Sequence, residues 1–197
     1  MKQRLAALQR VAGEPALQRS PGSHKQASSS HADNPMRRVT IEKVVVSAGA
    51  TAEGLVKARK LFELLTQRKA QIIKTRKRIP DFNVRPGLEV GTRVTVRGEA
   101  ALELLRRLLG AVENTLSTAQ VSDNHVSFGI KEYIEIPGIE YQRDIGIRGF
   151  NTTIVFARPG LRIKHKKIKA GHVPHRQYVS PAEIIKYMEE NFKTVFI

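Results

Sequence analysis

The densest run of chemistry-bearing side chains lies between positions 68 and 85, where seven cations, Arg68, Lys69, Lys74, Arg76, Lys77, Arg78 and Arg85, face a single acid, Asp81. Guanidinium and ammonium groups at this density are built to meet phosphate, Arg through a planar fork and Lys as a point charge. Pro80, Pro86, Gly87 and Gly91 punctuate the same stretch, so the cations ride on a turn-rich loop held between ordered elements. A second basic run holds Arg162, Lys164, Lys166, Lys167, Lys169 and Arg176 with three histidines and no acid. Gly171 and Pro174 argue against a long helix there.

Other chemistries fare less well on spacing. His165, His172 and His175 invite a metal reading, but the HVPH spacing is not helical and neither Cys nor a nearby carboxylate completes a ligand set. Histidines among lysines belong more often to an RNA-contacting or solvated loop. Glu132, Glu135, Glu140 and Asp144 cluster between Lys131 and Arg148, yet nothing places two of them across a cleft for acid/base work. Neither a dinucleotide nor a Walker fingerprint occurs. The sequence carries no positive sign of an enzyme, and no catalytic residue, metal or cofactor is expected.

The whole chain repeats the local message. Its 197 residues hold 34 Lys and Arg against 18 Asp and Glu, a formal +16 at pH 7, far beyond what solubility needs. A polyanionic partner follows, nucleic acid first and an anionic membrane surface second. The membrane reading is the weaker, because no apolar run approaches the ~20 residues of a spanning helix and no Trp is present to anchor at an interface. The absence of Cys removes disulfides, thiolates and Cys-ligated metals together. With seven Phe, four Tyr and no aromatic pair inside a basic strand, recognition of RNA by backbone and shape is favoured over base stacking. Phe82, inside the basic loop, either stacks on a base or anchors the loop to the core.

These groups need positioning elements. Residues 1–33 are Ser-, Pro-, Gly- and Gln-rich with scattered cations, a composition that buries too little to fold, and read as a basic low-complexity, disordered tail. A mitochondrial transit peptide, suggested by Arg4, Arg10 and Arg19 among Leu5, Leu8 and Val11, is the alternative. Residues 34–197 are expected to form a single domain. A strand is expected over 39–49 with 44–46 buried, then a helix over 52–67 capped by Thr51, with Leu55, Ala58, Leu61, Phe62 and Leu65 on its core stripe. A strand over 70–75 leads into the loop. Val90, Thr92, Val94 and Val96 alternate with Gly91, Arg93, Thr95 and Arg97, a half-buried strand with two arginines on its other face. A helix follows between Gly98 and Gly110, with Ala101, Leu104, Leu105 and Leu108 inward. Residues 111–124 read as mixed helix and loop. Further strands are expected over 126–130, 133–136, 145–147 and 151–157, and a turn at 158–160. Ser180, Pro181 and Glu183 spell a capping box for a helix that buries Ile184, Ile185, Met188 and Phe192.

Taken together, NPMRRVTIEKVVVSAGATAEG, KRIPDFNVRPGLEVGTRVTVRGEAALELLRRLL, NHVSFGIKEYIEIPGIEYQRDIGIRGFNTTIVFARPG and VSPAEIIKYMEENF resemble, over residues 34–197, the large-subunit ribosomal protein L-five family in its archaeal and eukaryotic branch. The resemblance implies an α+β fold, an antiparallel sheet with helices on one face. It also implies a structural place in the central protuberance, with 5S rRNA, 23S-type rRNA, P-site tRNA, neighbouring large-subunit proteins and a small-subunit protein at an intersubunit bridge as partners, and no membrane. The expected rRNA-binding residues are Arg37, Arg38, Ser47, Arg68, Lys69, Lys74, Arg93, Arg97, Arg162, Lys164, Lys166, Lys167 and Lys169. Those expected to face tRNA are Arg76, Lys77, Arg78, Phe82 and Arg85. A cytoplasmic, ribosome-bound location is implied, with organellar targeting by the tail as the alternative. The chain departs from the family pattern at Ser47, Ala48, Gly49 and Ala50 and again at Gln67, Arg68, Lys69 and Ala70, both near the family's 5S rRNA contacts. Two other readings remain at this stage, a non-ribosomal RNA-binding protein and a small RNA-processing enzyme using Glu132 to Asp144.

Overall fold

The computed structural model describes residues 34–197. The basic tail and its targeting alternative, both on residues 1–33, lie outside the described residues. In chain order the elements are β1 (Thr40–Gly49), α1 (Glu53–Thr66), β2 (Gln71–Lys74), β3 (Glu89–Val96), α2 (Glu99–Gly110), β4 (Thr115–Leu116), β5 (Val121–Ser122), β6 (His125–Ile130), β7 (Phe150–Ala157), α3 (Arg162–His165), α4 (Pro181–Phe192) and β8 (Val195–Phe196). Six strands form one antiparallel sheet in the order β2-β3-β1-β7-β6-β5. β4 and β8 pair separately, in parallel.

The period-two pattern explains how the sheet is covered. Val44, Val46 and Ala48 of β1, Val94 and Val96 of β3, Val126, Phe128 and Ile130 of β6, and Phe150, Ile154 and Phe156 of β7 all turn to one side and are buried. The same cluster takes in Leu61, Phe62 and Leu65 of α1, Leu104, Leu105 and Leu108 of α2, and Ile184 and Met188 of α4. The helices therefore lie on one face, as the family resemblance implies. Phe62 of α1 meets Phe150 of β7 edge to face, ring centroids 5.8 Å apart. Val45 turns to the opposite face and is only half-buried, so the inward set of the first strand is Val44 and Val46 rather than all of 44–46. Ile185 and Phe192 are likewise only partly buried.

Three further expectations need correction. Residues 133–136 form a 3₁₀ turn, Tyr133–Glu135, in place of a strand. Tyr133 and Ile136 are both buried, and a spacing of three fits a turn and not a pleat. The Tyr133 hydroxyl, fully inside, accepts the Gln142 N–H at 2.9 Å and so ties down the loop that follows. Residues 145–147 are not a strand either: Ile145 is buried, but Ile147 is 67% exposed and no ladder partner faces it. The helix cap is Ala52 at φ 49°, not Thr51, which offers only its carbonyl to the Gly54 N–H.

α4 is fastened by charge. Both Oε atoms of Glu183 lie 2.6 Å from Arg158 Nη2, at the end of β7, and Glu183 Oε2 accepts the Ser180 N–H to close the capping box. Burial alone would raise the Glu183 carboxyl, but the Ser180 N–H and the Arg158 guanidinium outweigh it and hold the group below its ordinary value of 4.5. A depressed carboxyl contributes stability above its unfolded pKa that fades as pH falls through the lower, folded pKa. Glu183→Ala is therefore expected to cost about 1–2 kcal/mol in urea unfolding at pH 7. The difference from wild type should shrink below pH 4.5 as the wild-type carboxyl protonates.

Candidate nucleic-acid interface

The other face of the sheet carries no helix stripe, and its registers line up polar residues across the strands. Gln71 pairs with Arg93, Arg93 with Ser47, Ser47 with Asn151, and Asn151 with Gly129, so one row crosses β2, β3, β1, β7 and β6. At about 4.8 Å per strand this row spans roughly 19 Å. The next row is Thr95, Val45, Thr153 and Ser127. Arg93 Nε donates to Gln71 Oε1 at 3.1 Å, and the Ser127 and Thr153 hydroxyls share a 3.0 Å hydrogen bond. Side chains braced this way present fixed donors and acceptors rather than loose ones. A concavity of about 470 Å³ opens where the first row meets Ser47, Gly129, Lys131 and Asn151. Gly149 shapes its wall, since a Cβ there would fall 2.6 Å from the Lys131 carbonyl oxygen.

The basic loop sits at the Gly49 end of β1. Thr75 fastens its base: its hydroxyl donates to the Arg85 carbonyl at 2.8 Å, while its backbone pairs with Gly87 and Leu88. An Ile79–Val84 bridge then closes a tight tip, with Pro80–Phe82 in a 3₁₀ turn and Asn83 left-handed at φ 52°. Val84, 5% exposed, is the anchor, whereas Phe82 is 77% exposed at the tip. Of the two readings for Phe82, anchoring to the core therefore fails. Arg76, Lys77, Arg78 and Arg85 are all exposed around it.

The second basic segment sits at the opposite end of β1, about 30 Å away along the strand at 3.3 Å per residue. Arg162 to Lys169 are exposed, beginning in the short α3. Met36 approaches Gly160 in the turn before α3, so Arg37 and Arg38 belong to this end as well. Arg97 follows Val96, the partner of Val44, and lies at the same end; Arg68 and Lys69 are exposed ahead of β2. Lys74 is partly neutralised by Glu89 at 3.4 Å. The structure thus brings the candidate residues into two cationic ends with a polar row between them. Lys43, Gln71, Thr95, Ser127, Asn151 and Thr153 share this face and were not singled out from sequence. Their signal was the phase opposite to the apolar one within the expected strands.

The three histidines are exposed, as are Glu132, Glu135, Glu140 and Asp144, and Asp144 pairs with Lys60 at 3.6 Å. Among the described residues no three metal-binding side chains converge. No described helix is long and apolar enough to cross a membrane.

This arrangement defines a nucleic-acid-binding α+β protein. Residues 34–85 match the family described as "Ribosomal protein L5", and residues 89–178 match the "ribosomal L5P family C-terminus". "Large ribosomal subunit protein uL5" of Sulfolobus acidocaldarius is 39% identical over 168 residues, covering 84% of this chain and 94% of its own length. The proteins of that name from Picrophilus torridus and Nanoarchaeum equitans are 38% and 37% identical, covering 84% and 80% of this chain and 96% and 95% of their own. The chain belongs to the ribosomal protein L5 family, and is a structural ribosomal protein and not an enzyme. Arg93→Ala and Arg97→Ala are each expected to weaken rRNA binding and to reduce the salt dependence of the affinity by about one unit of slope, measured by filter binding across a salt series.

Proposed function

We propose that the chain is a constituent of the large ribosomal subunit that binds 5S rRNA and 23S-type rRNA in the central protuberance, working on cytoplasmic ribosomes. The observation that carries this reading is the uncovered row from Gln71 to Gly129, with cationic segments at both ends of β1. A duplex face meets such a surface through phosphates and 2′-hydroxyls, which needs fixed polar side chains at the centre and mobile cations at the rim. Arg37, Arg38, Ser47, Arg68, Lys69, Lys74, Arg93, Arg97 and the Arg162 to Lys169 cations form the rRNA-binding set in this reading, and residues 34–197 act as one rRNA-binding domain. If about six of these cations contact phosphate, log affinity should fall with log salt at a slope of roughly −4 to −5.

The stitched loop has a different task. Its tip carries Arg76, Lys77, Arg78, Phe82 and Arg85 away from the sheet row, which suits contact with the P-site tRNA. A third surface, residues 131–148, holds four acids against three cations and exposes Ile134, Tyr141 and Ile147, a balance that favours a protein partner over RNA. This segment is assigned to the bridge with a small-subunit protein. Charge reversal at Arg76, Lys77 and Arg78 together is expected to leave 5S rRNA affinity within about twofold while shortening tRNA retention on reconstituted ribosomes severalfold. Loss of 5S rRNA binding with normal tRNA retention would show the two surfaces exchanged.

A further inference from the structure

The segment between α3 and α4 roofs one end of the open sheet face, and beneath it lies a pocket of about 240 Å³ lined by Glu42, Lys43, Val155, Arg158, Lys164 and Val173 among others. Its construction is unusual in three respects. In β1, Ile41 pairs with Phe156 and Lys43 with Val155, leaving Glu42 as an extra residue in a bulge. Consecutive residues of a regular strand point to opposite faces, but the bulge brings Glu42 and Lys43 to the same pocket, carboxylate and ammonium 3.5 Å apart. Second, Arg158 is 9% exposed, and its Nε is among the few buried side-chain polar atoms of the described residues without a hydrogen-bond partner. Nη2 is committed to Glu183 and one Nη1 N–H to the Arg176 carbonyl, which leaves Nε and the second Nη1 N–H for an incoming acceptor. Third, the pocket combines apolar Val155 and Val173 with cationic Lys164, a surface for a flat ring that carries a phosphate.

We propose that this pocket receives one unpaired guanine extruded from the bound rRNA, an inference that rests on the RNA-binding reading above. The Watson–Crick edge of guanine sets an acceptor, O6, beside two donors, N1–H and the N2 amine. The adjacent Lys43 and Glu42 present the complement: the ammonium donates to O6 and the carboxylate accepts both N–H groups. Arg158 Nε supplies a further donor for the O6 and N7 side. Adenine and cytosine give the carboxylate a single amine, and uracil sets its O2 acceptor beside the Glu42 charge. Splayed-out bases read on these edges are a general mode of single-strand RNA recognition.

The test follows the Val155 and Val173 methyl signals of the full chain by NMR during titration with GMP, AMP, CMP and UMP. GMP is expected to give saturable shifts at concentrations about tenfold lower than any other nucleotide, and the isosteric Glu42→Gln should abolish that preference. Prior binding of deproteinised large-subunit rRNA should remove the GMP response, and Glu42→Gln should weaken rRNA affinity about tenfold without altering the unfolding midpoint. Lys43→Gln provides a second variant with the same expectation. Equal response to all four nucleotides, or a GMP response untouched by Glu42→Gln, would overturn the proposal. A GMP response that persists in the rRNA-bound protein would assign the pocket to a free nucleotide and overturn the RNA occupant. Wild-type protein that binds rRNA but ignores GMP removes the pocket inference alone, whereas failure to bind rRNA removes both readings.

Discussion

A sheet covered on one side only is the constraint on which this molecule depends. Because successive strand residues alternate sides, every strand of the central sheet must satisfy two solvents at once, a hydrocarbon interior and an aqueous exterior. The apolar phase, Val44 to Phe156, brings α1, α2 and α4 onto one face. The opposite phase is thereby free to be polar at no cost to the core. Neither half can be altered alone, since a one-residue slip of β1 would exchange Val46 for Ser47 and bury the polar row.

Charge is arranged around that division rather than through it. A formal +16 on one small chain repels itself, yet the cations of the two basic segments lie at the two ends of β1, where water and salt screen them over about 8 Å. Among the described residues only Arg158 is drawn inside, and it is matched at once by Glu183. The loop is fixed by Thr75 and by the Ile79–Val84 bridge before any partner arrives, so little ordering entropy is left to lose on contact. Rigidity in the scaffold and freedom in the cationic tips are complementary parts of one surface.

Much of this was legible in the sequence, for local reasons. α1, α2, β3 and the capping box of α4 are written in spacings that need no distant partner. The errors share a cause as well. Residues 133–136 and 145–147 are rich in Ile and Tyr, which suits a strand, but the burial of Tyr133 and Ile136 follows a turn fixed by Gln142, and no strand lies alongside Ile147. The polar row needs five strands in register, and the bulge at Glu42 needs β7, more than a hundred positions away. The burial of Arg158 depends on Glu183 in another element. Such features arise from pairing across the chain, and a linear reading sees only their halves. The family resemblance supplied the helices-on-one-face architecture that periodicity alone left open.

The two outer strands of the sheet carry a consequence of their own. β2 has four residues and β5 two, and β2 loses register between Ile73 and Lys74, where a cation follows at once. A long, flat, apolar margin would offer its unpaired amides to another copy of the chain. These margins are too short, too charged and too irregular to template such growth. A newly made molecule, its broad face still open to water, is thereby protected from stacking edge to edge into fibrils.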